Sequence, residues 1–330
     1  MISNINEMAE FLRAHDNYAV ITHYRPDGDA FGSALAMVRI LKSMGKNAFP
    51  VCDDEVTPKY RFLDGWEKFT NEEKGLPYVP ETALGVDVSN EERMGKSTAL
   101  FNACKYRAVI DHHESNIGFA PVTLLDSKAV AAGQIIVKLA NVLGIKIDKP
   151  LAEQLYTAIA TDSGNFSFKD TNAESFSLTA QLLEAGVDVE TLTRRLFRER
   201  SYAQTRLLAL ALNQIQLSSD GRVAGIMITD EMFKESGAAR PDSHPIVNYL
   251  NEIRGVCVGF TAEQLPDHVK ISFRAGNGTD VAALAERFDG GGHIAAAGGR
   301  IPGGILEKEF SNIMRVSEEY LREMDAAKRA

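Results

Sequence analysis

The feature that most constrains this chain is a recurrence in its first half. Apolar runs too short for helices end in acids or histidines, and helix-spaced segments follow them. "YAVITH" at 18–23 reads as a buried strand that stops at a polar turn. "AFGSALAMVRILKSMG" at 30–45 then carries helical spacing up to Gly45, a natural C-cap. "ALGVDVS" at 83–89 and "RAVIDHH" at 107–113 repeat the strand pattern, and 130–144 and 150–162 repeat the helical one. Such alternation predicts an α/β domain with a mainly parallel sheet flanked by helices. Ligands gather beyond the carboxyl ends of strands in open sheets of this kind. His23, Asp87 and Asp111 sit at or near those ends.

The pattern changes at 187–216, which is charged, then strongly helical, and has no strand signal. It reads as a helical linker between a first domain at 1–186 and a smaller α/β domain at 217–330. Runs at 222–229, 255–264 and 268–276 predict a second sheet, and 307–330 predicts an amphipathic terminal helix. Two domains suit 330 residues. No apolar run approaches the ~20 residues of a membrane span, and the N-terminus lacks the basic start and long apolar stretch of a signal peptide. Cys52, Cys104 and Cys257 are scattered and form no CxxC pair. That fits the reducing cytoplasm and argues against a disulfide framework or a thiolate metal site. A net charge of −9 opposes a long basic groove for duplex DNA, yet allows a small anionic substrate in a locally positive pocket.

Five segments carry groups able to do chemistry. In "THYRPDGDAFGS" (22–33), His23, Asp27 and Asp29 share a loop that Pro26 and Gly28 let turn sharply. This mixed N/O set suits Mn²⁺, Mg²⁺ or Zn²⁺. The competing reading is a turn in which Asp29 caps a helix starting near Ala30. In "GVDVSN" (85–90), Asp87 interrupts an apolar run, where burial without a partner would be costly. In "IDHHESN" (110–116), extension persisting through His112 and His113 would send them to opposite sides, with Asp111 placed to fix an imidazole tautomer. In "AIATDSGNFSF" (158–168), Asp162 ends a helical pattern, against the helix dipole unless a cation compensates. Phe166 and Phe168 read as packing residues. In "ERFDGGGHIAAAGGRI" (286–301), Gly290, Gly291 and Gly292 precede His293 and suggest an anion-presenting loop that leads into a helix. Arg274, at a strand end, is a candidate phosphate clamp. The 290–292 run does not match a P-loop, and Gly276 with Gly278 lacks the rest of a dinucleotide fingerprint.

In this order the segments resemble the DHH phosphoesterase superfamily, named for the triplet that stands here as Asp111-His112-His113. "GGGHIAAAGG" and "ISFRAG" resemble the DHHA1 domain that accompanies it. Within the superfamily the chain looks most like the nanoRNase (oligoribonuclease)/pAp phosphatase group. The resemblance implies an active site in the interdomain cleft and two divalent ions, foremost Mn²⁺, with Mg²⁺ or Co²⁺ compatible. It assigns one ion to His23, Asp27 and Asp87, and the other to Asp29, Asp87, His112 and Asp162, with Asp87 bridging. His113 would address the substrate phosphate as a catalytic group, supported by Asp111. Arg274, His293 and the 290–292 glycines would bind substrate, with Asn116 and Ser272 as further candidates. The implied substrates are short single-stranded oligonucleotides and 3′-phosphoadenosine 5′-phosphate, and a homodimer is compatible. A linear-dinucleotide phosphodiesterase, an exopolyphosphatase or pyrophosphatase, and a non-catalytic nucleotide-binding regulator are the alternatives.

Overall fold

A computed structural model describes residues 2–276 and 278–329, and the short apolar runs of the first half are strands in it. The first unit, residues 1–199, opens with β1 (Ile2–Ser3), α1 (Ile5–Ala14), β2 (Tyr18–Ile21), α2 (Gly28–Ser43) and β3 (Ala48–Val51). It continues through β4 (Thr82–Val86), α3 (Thr98–Ala103), β5 (Tyr106–Asp111) and β6 (Val122–Leu125). Helices α4 (Ala132–Leu143), α5 (Lys149–Asp162) and α6 (Ala173–Glu184) follow. The strands form one sheet in the order β1-β6-β5-β4-β2-β3, parallel throughout.

Every residue of β2, β3 and β4 is buried, because both faces of the sheet are covered. Tyr18, Val20, Leu84, Val86, Ala108 and Ile110 pack with α1, α2, α4 and α5. The alternating residues Ala19, Ile21, Ala83 and Val109 pack on the other side with Leu100 and Phe101 of α3. Helix α2 starts at Gly28, two residues earlier than the spacing predicts. Its cap is Asp27, whose Oδ1 accepts from the N–H of Asp29 (3.0 Å) and Ala30 (3.1 Å). Asp29 is therefore not the cap; it lies inside the first helical turn and is fully buried. Helices α2 and α5 approach closely at Gly32, where a Cβ would stand 2.4 Å from the Gln154 carbonyl.

The helical stretch expected as a linker divides between two cores. Leu192 of α7 (Val189–Thr193) and Leu196 of a π-helical turn (Arg194–Arg198) are buried in the first unit. Leu207 and Ala211 of α8 (Tyr202–Leu212) are buried in the second, residues 200–330.

The second unit continues with β7 (Gln216–Leu217), β8 (Val223–Ile228), α9 (Asp230–Ser236), α10 (Asn248–Asn251) and β9 (Val258–Gln264). Then come β10 (His268–Ala275), α11 (Val281–Glu286), β11 (Gly291–His293), β12 (Ala296–Pro302) and α12 (Leu306–Arg329). The sheet order is β11-β12-β10-β9-β8-β7, antiparallel except between β8 and β9. Val269, Ile271 and Phe273 of β10 face the core, so Lys270, Ser272 and Arg274 line the opposite face. The glycine-rich segment does not lead into a helix: β11 and β12 form a hairpin at the sheet edge. The segment offers mainly Gly and Ala, with no amphipathic stripe for a helix to bury, while β10 presents an unpaired edge for β12 to fill. Among the described residues, no helix is long and apolar enough to cross a membrane.

Candidate metal centre

Strand ends and helix ends of the first unit converge on one cluster of acids and imidazoles. Three sets of donor atoms each lie within 4.8 Å of one another: His23, Asp27 and Asp87; Asp29, His112 and Asp162; and Asp87, His112 and His113. His23 follows β2, Asp87 follows β4, and both histidines of the pair follow β5. Asp27 and Asp29 arrive from the start of α2, and Asp162 is the last residue of α5.

Asp87 is the hub. Its side chain is 3.5 Å from His23 Nε2 through Oδ2 and 3.5 Å from His112 Nε2 through Oδ1. Oδ1 is buried and has no hydrogen-bond partner, although the chain keeps buried polar atoms satisfied almost everywhere else. The residue also adopts a left-handed backbone (φ 58°), an uncommon conformation for a non-glycine side chain and one that recurs at functional sites. Burial pushes its carboxyl up, but the imidazoles of His112 and His23 outweigh burial and hold it well below the usual carboxylate range.

The neighbouring acids behave in the opposite way. Asp29 is fully buried and raised well above the ordinary value, first by burial and then by the charges of Asp87 and Asp162. The chain holds it with Ser33 Oγ (2.6 Å) and the N–H groups of Ala132 (2.6 Å) and Gly133 (3.0 Å) at the start of α4. Burial likewise raises Asp162 to about 7. His112 loses stability as a cation through burial, but Asp87, Asp29 and Asp162 outweigh that and raise it to about 10. Carboxylates this dense repel one another and trap a proton on His112. A divalent cation relieves both effects, so donor set and unsatisfied oxygen together fit a metal.

Hydrogen bonds rather than strand alternation set the two histidines apart. Strand β5 ends at Asp111, and the two rings lie side by side with centroids 4.6 Å apart. His112 Nδ1 is 3.2 Å from the Ala129 carbonyl, which only accepts, so Nε2 is left to face Asp162 (3.2 Å), Asp87 and Asp29. His113 Nδ1 instead donates to Asp111 Oδ1 at 2.7 Å. Burial opposes its charge, but the bond to Asp111 outweighs burial and raises its pKa. Asp111 therefore steadies His113 alone, not the pair. His23 follows the logic of His112: Nδ1 lies 2.8 Å from the Tyr24 carbonyl, and Nε2 turns to Asp87.

The second unit gathers its own polar face. Cross-strand pairing sets His293, Ala296 and Arg274 in one row, and Gly291, Gly298 and Ser272 in the next. Arg274 is tethered by Nε to Asn248 Oδ1 (2.9 Å) and by Nη1 to the Phe273 carbonyl (2.9 Å). Gly290 and Gly292 are needed by the backbone itself: a Cβ would meet the Gly298 carbonyl at 2.1 Å and the Ala296 carbonyl at 2.7 Å, respectively. Gly291 has nothing within 4 Å and is exposed.

Residues 17–159 match the DHH family, N-terminal domain, and residues 223–323 match the DHHA1 domain. The bifunctional oligoribonuclease and PAP phosphatase NrnA of Thermus thermophilus is 31% identical over 318 residues, 95% of this chain and 93% of that protein. The chain belongs to the DHH family. That membership makes it a hydrolase of phosphoester bonds. In fold, a crystal structure of an exopolyphosphatase-related protein from Bacteroides fragilis is similar with a TM-score of 0.88, at 23% identity, over 99% of this chain and 97% of that one. RecJ of Thermus thermophilus in complex with Mn²⁺ has a TM-score of 0.51 at 15% identity, over 97% of this chain and 55% of that one.

All six residues that the DHH resemblance assigns to metal lie in the three donor sets. Asn116, expected at the substrate, is placed otherwise. It is buried, its amide donates to Asp111 Oδ2 (2.8 Å) and the Val88 carbonyl (3.2 Å), and its Oδ1 accepts from Gly118. It positions Asp111. Phe166 packs on the core as expected, but Phe168 does not: it is 58% exposed over Gly164. The sequence gives no hint of Ser33, the Ala129 carbonyl or the α4 amides, since contacts across some hundred residues leave no local pattern. Arg93 was also unforeseen; its guanidinium covers the Tyr24 ring and comes within 3.3 Å of His23 Nδ1.

Proposed function

We propose that this DHH hydrolase degrades short oligonucleotides to mononucleotides and converts 3′-phosphoadenosine 5′-phosphate to AMP and phosphate, using two divalent ions, foremost Mn²⁺. The observation that carries the reading is Asp87: a buried carboxylate shared by two donor sets, with one oxygen that has no hydrogen-bond partner among the described residues. The NrnA resemblance supports the substrate class. His23, Asp27 and Asp87 would hold one ion, and Asp29, Asp87, His112 and Asp162 the other. A divalent pair supplies charge neutralisation at phosphate and water acidic enough to attack near neutral pH.

The chain's own groups do the rest. Asp111 fixes the Nδ1 proton of His113, so Nε2 is the atom that exchanges a proton with the reacting phosphate or its leaving oxygen. Burial opposes the charged imidazole, but the bond to Asp111 outweighs it and raises the His113 pKa, which favours the proton-donating form at a departing ribose oxygen. Asn116 locks Asp111 from the far side, and Ala129 and Tyr24 aim the two ligating imidazoles. On the second unit, Arg274, His293, Ser272 and the Gly291 backbone N–H take the non-reacting phosphate, where planar Arg gives bidentate contact.

The test is a substrate panel with purified protein and Mn²⁺: a 5′-phosphorylated dinucleotide, a five-nucleotide RNA, 3′-phosphoadenosine 5′-phosphate and polyphosphate. Preference for the RNA and 3′-phosphoadenosine 5′-phosphate is expected. Preference for polyphosphate, exclusive use of the dinucleotide, or binding without any release would each overturn it.

A further inference from the structure

A concave site lies on the first unit, apart from the acid–imidazole cluster. A cavity of about 360 Å³ is lined by Leu35, Val38 and Pro50 on its apolar side, and by Arg39, Lys42 and Lys68 as cations. Along α2, the distance from Asp29 to Lys42 is roughly 20 Å at the helical rise per residue. The cavity is therefore no extension of the metal cluster.

Its charges are unevenly settled. Arg39 is paired with Asp148 (2.9 and 2.6 Å) and Asp64 (3.0 Å). Lys42 and Lys68 have no ion-pair partner among the described residues, and burial together with the charge of Lys68 pushes the Lys42 pKa down. The positive charge at Lys42 is disfavoured there, and a phosphate dianion would relieve it. The Asp64 and Asp148 carboxylates accept hydrogen bonds and so favour hydroxyl donors. Gln154, 2% exposed, donates to the Asp64 carbonyl (2.8 Å), but its side-chain oxygen accepts nothing. An acceptor desolvated in this way gains from a ligand N–H or O–H.

We propose that this cavity binds a nucleoside monophosphate, with its phosphate between Lys42 and Lys68, its ribose hydroxyls toward Asp64 and its base against Leu35, Val38 and Pro50. The volume falls within the range of small-molecule sites. Orthophosphate alone would leave the apolar wall empty, and a sugar phosphate would leave it wet.

The chain carries its own reporter. Trp66, its only tryptophan, stands between Gly65 and Lys68, both of which line the cavity. The test titrates the metal-free full chain in EDTA with AMP, ribose 5-phosphate and orthophosphate, following Trp66 emission and calorimetric heat. AMP is expected to shift the emission saturably and to bind roughly tenfold or more tighter than the other two. Lys42→Glu with Lys68→Glu should weaken AMP by a similar factor and leave Mn²⁺-dependent hydrolysis unchanged, which separates this site from the reaction. Equal AMP binding by wild type and double variant, equal binding of ribose 5-phosphate, or no saturable change with AMP would each overturn the proposal.

Discussion

The metal cluster of the first unit and the polar sheet face of the second hold their charges in opposite ways. In the cluster, Asp29 and Asp87 are buried, the pKa values of Asp29 and Asp162 are driven up, and Asp87 keeps an oxygen without a partner. On the sheet face, Arg274 is half-buried and tethered, while Gly291 and His293 are exposed at an edge hairpin. The first is an arrangement the described residues do not satisfy by themselves, and its donor set fits cations. The second has its charged group tethered within the chain and shows no such tension. The fold therefore stores electrostatic tension in the acid–imidazole cluster and leaves the sheet face of the second unit relaxed.

That contrast can be broken first at Asp87. Asn tolerates the left-handed backbone and keeps the shape, so Asp87→Asn removes little but charge. Turnover with Mn²⁺ should fall on the order of 10³-fold or more, beyond the 10–100-fold typical of outer partners. Near-normal turnover would mean that the two donor sets are not shared. The histidine pair gives the next largest effect. His113→Ala should cost about 10²–10⁴-fold in kcat, the range of a general acid, with Mn²⁺ binding intact by equilibrium dialysis. His112→Ala should lose bound metal instead, and identical phenotypes would remove the asymmetry.

On the relaxed face, Arg274→Ala and His293→Ala should each lower kcat/KM by roughly 10–100-fold, carried mainly by KM, without altering Mn²⁺ affinity. Loss of metal in either variant would erase the difference between the regions. The remaining test is the pH response. His112, raised to about 10, holds a proton at pH 7, and Asp162, raised to about 7, is near its midpoint. Ligation expels these protons, so Mn²⁺ affinity should fall as pH falls, by about tenfold per pH unit for each proton displaced. The rise in melting temperature on adding Mn²⁺ should accordingly be larger at pH 8 than at pH 6. A flat response would show the acids already bare.

Much of this organisation is legible in the residues. Continuous apolar runs announce strands buried on both faces, and their polar ends mark the site; His23, Asp87 and Asp111 all lie where that rule puts them. Less legible is whatever depends on closing long loops. The cap of α2 shifts to Asp27 because Asp29 is drawn inside by amides of α4 from far along the chain. Asn116 looks like a substrate contact by position, but the fold spends it on Asp111. The glycine run misleads because helix and hairpin share its composition, and only the open edge of β10 decides between them.

One cluster, hinged on Asp87, is proposed to hold two ions. Mn²⁺ bound per chain, measured by equilibrium dialysis at pH 8 on wild type beside Asp87→Asn, tests it most directly. Two ions in the wild type, with fewer in the variant, is the predicted result. One ion or none in the wild type, or two retained in the variant, would contradict it.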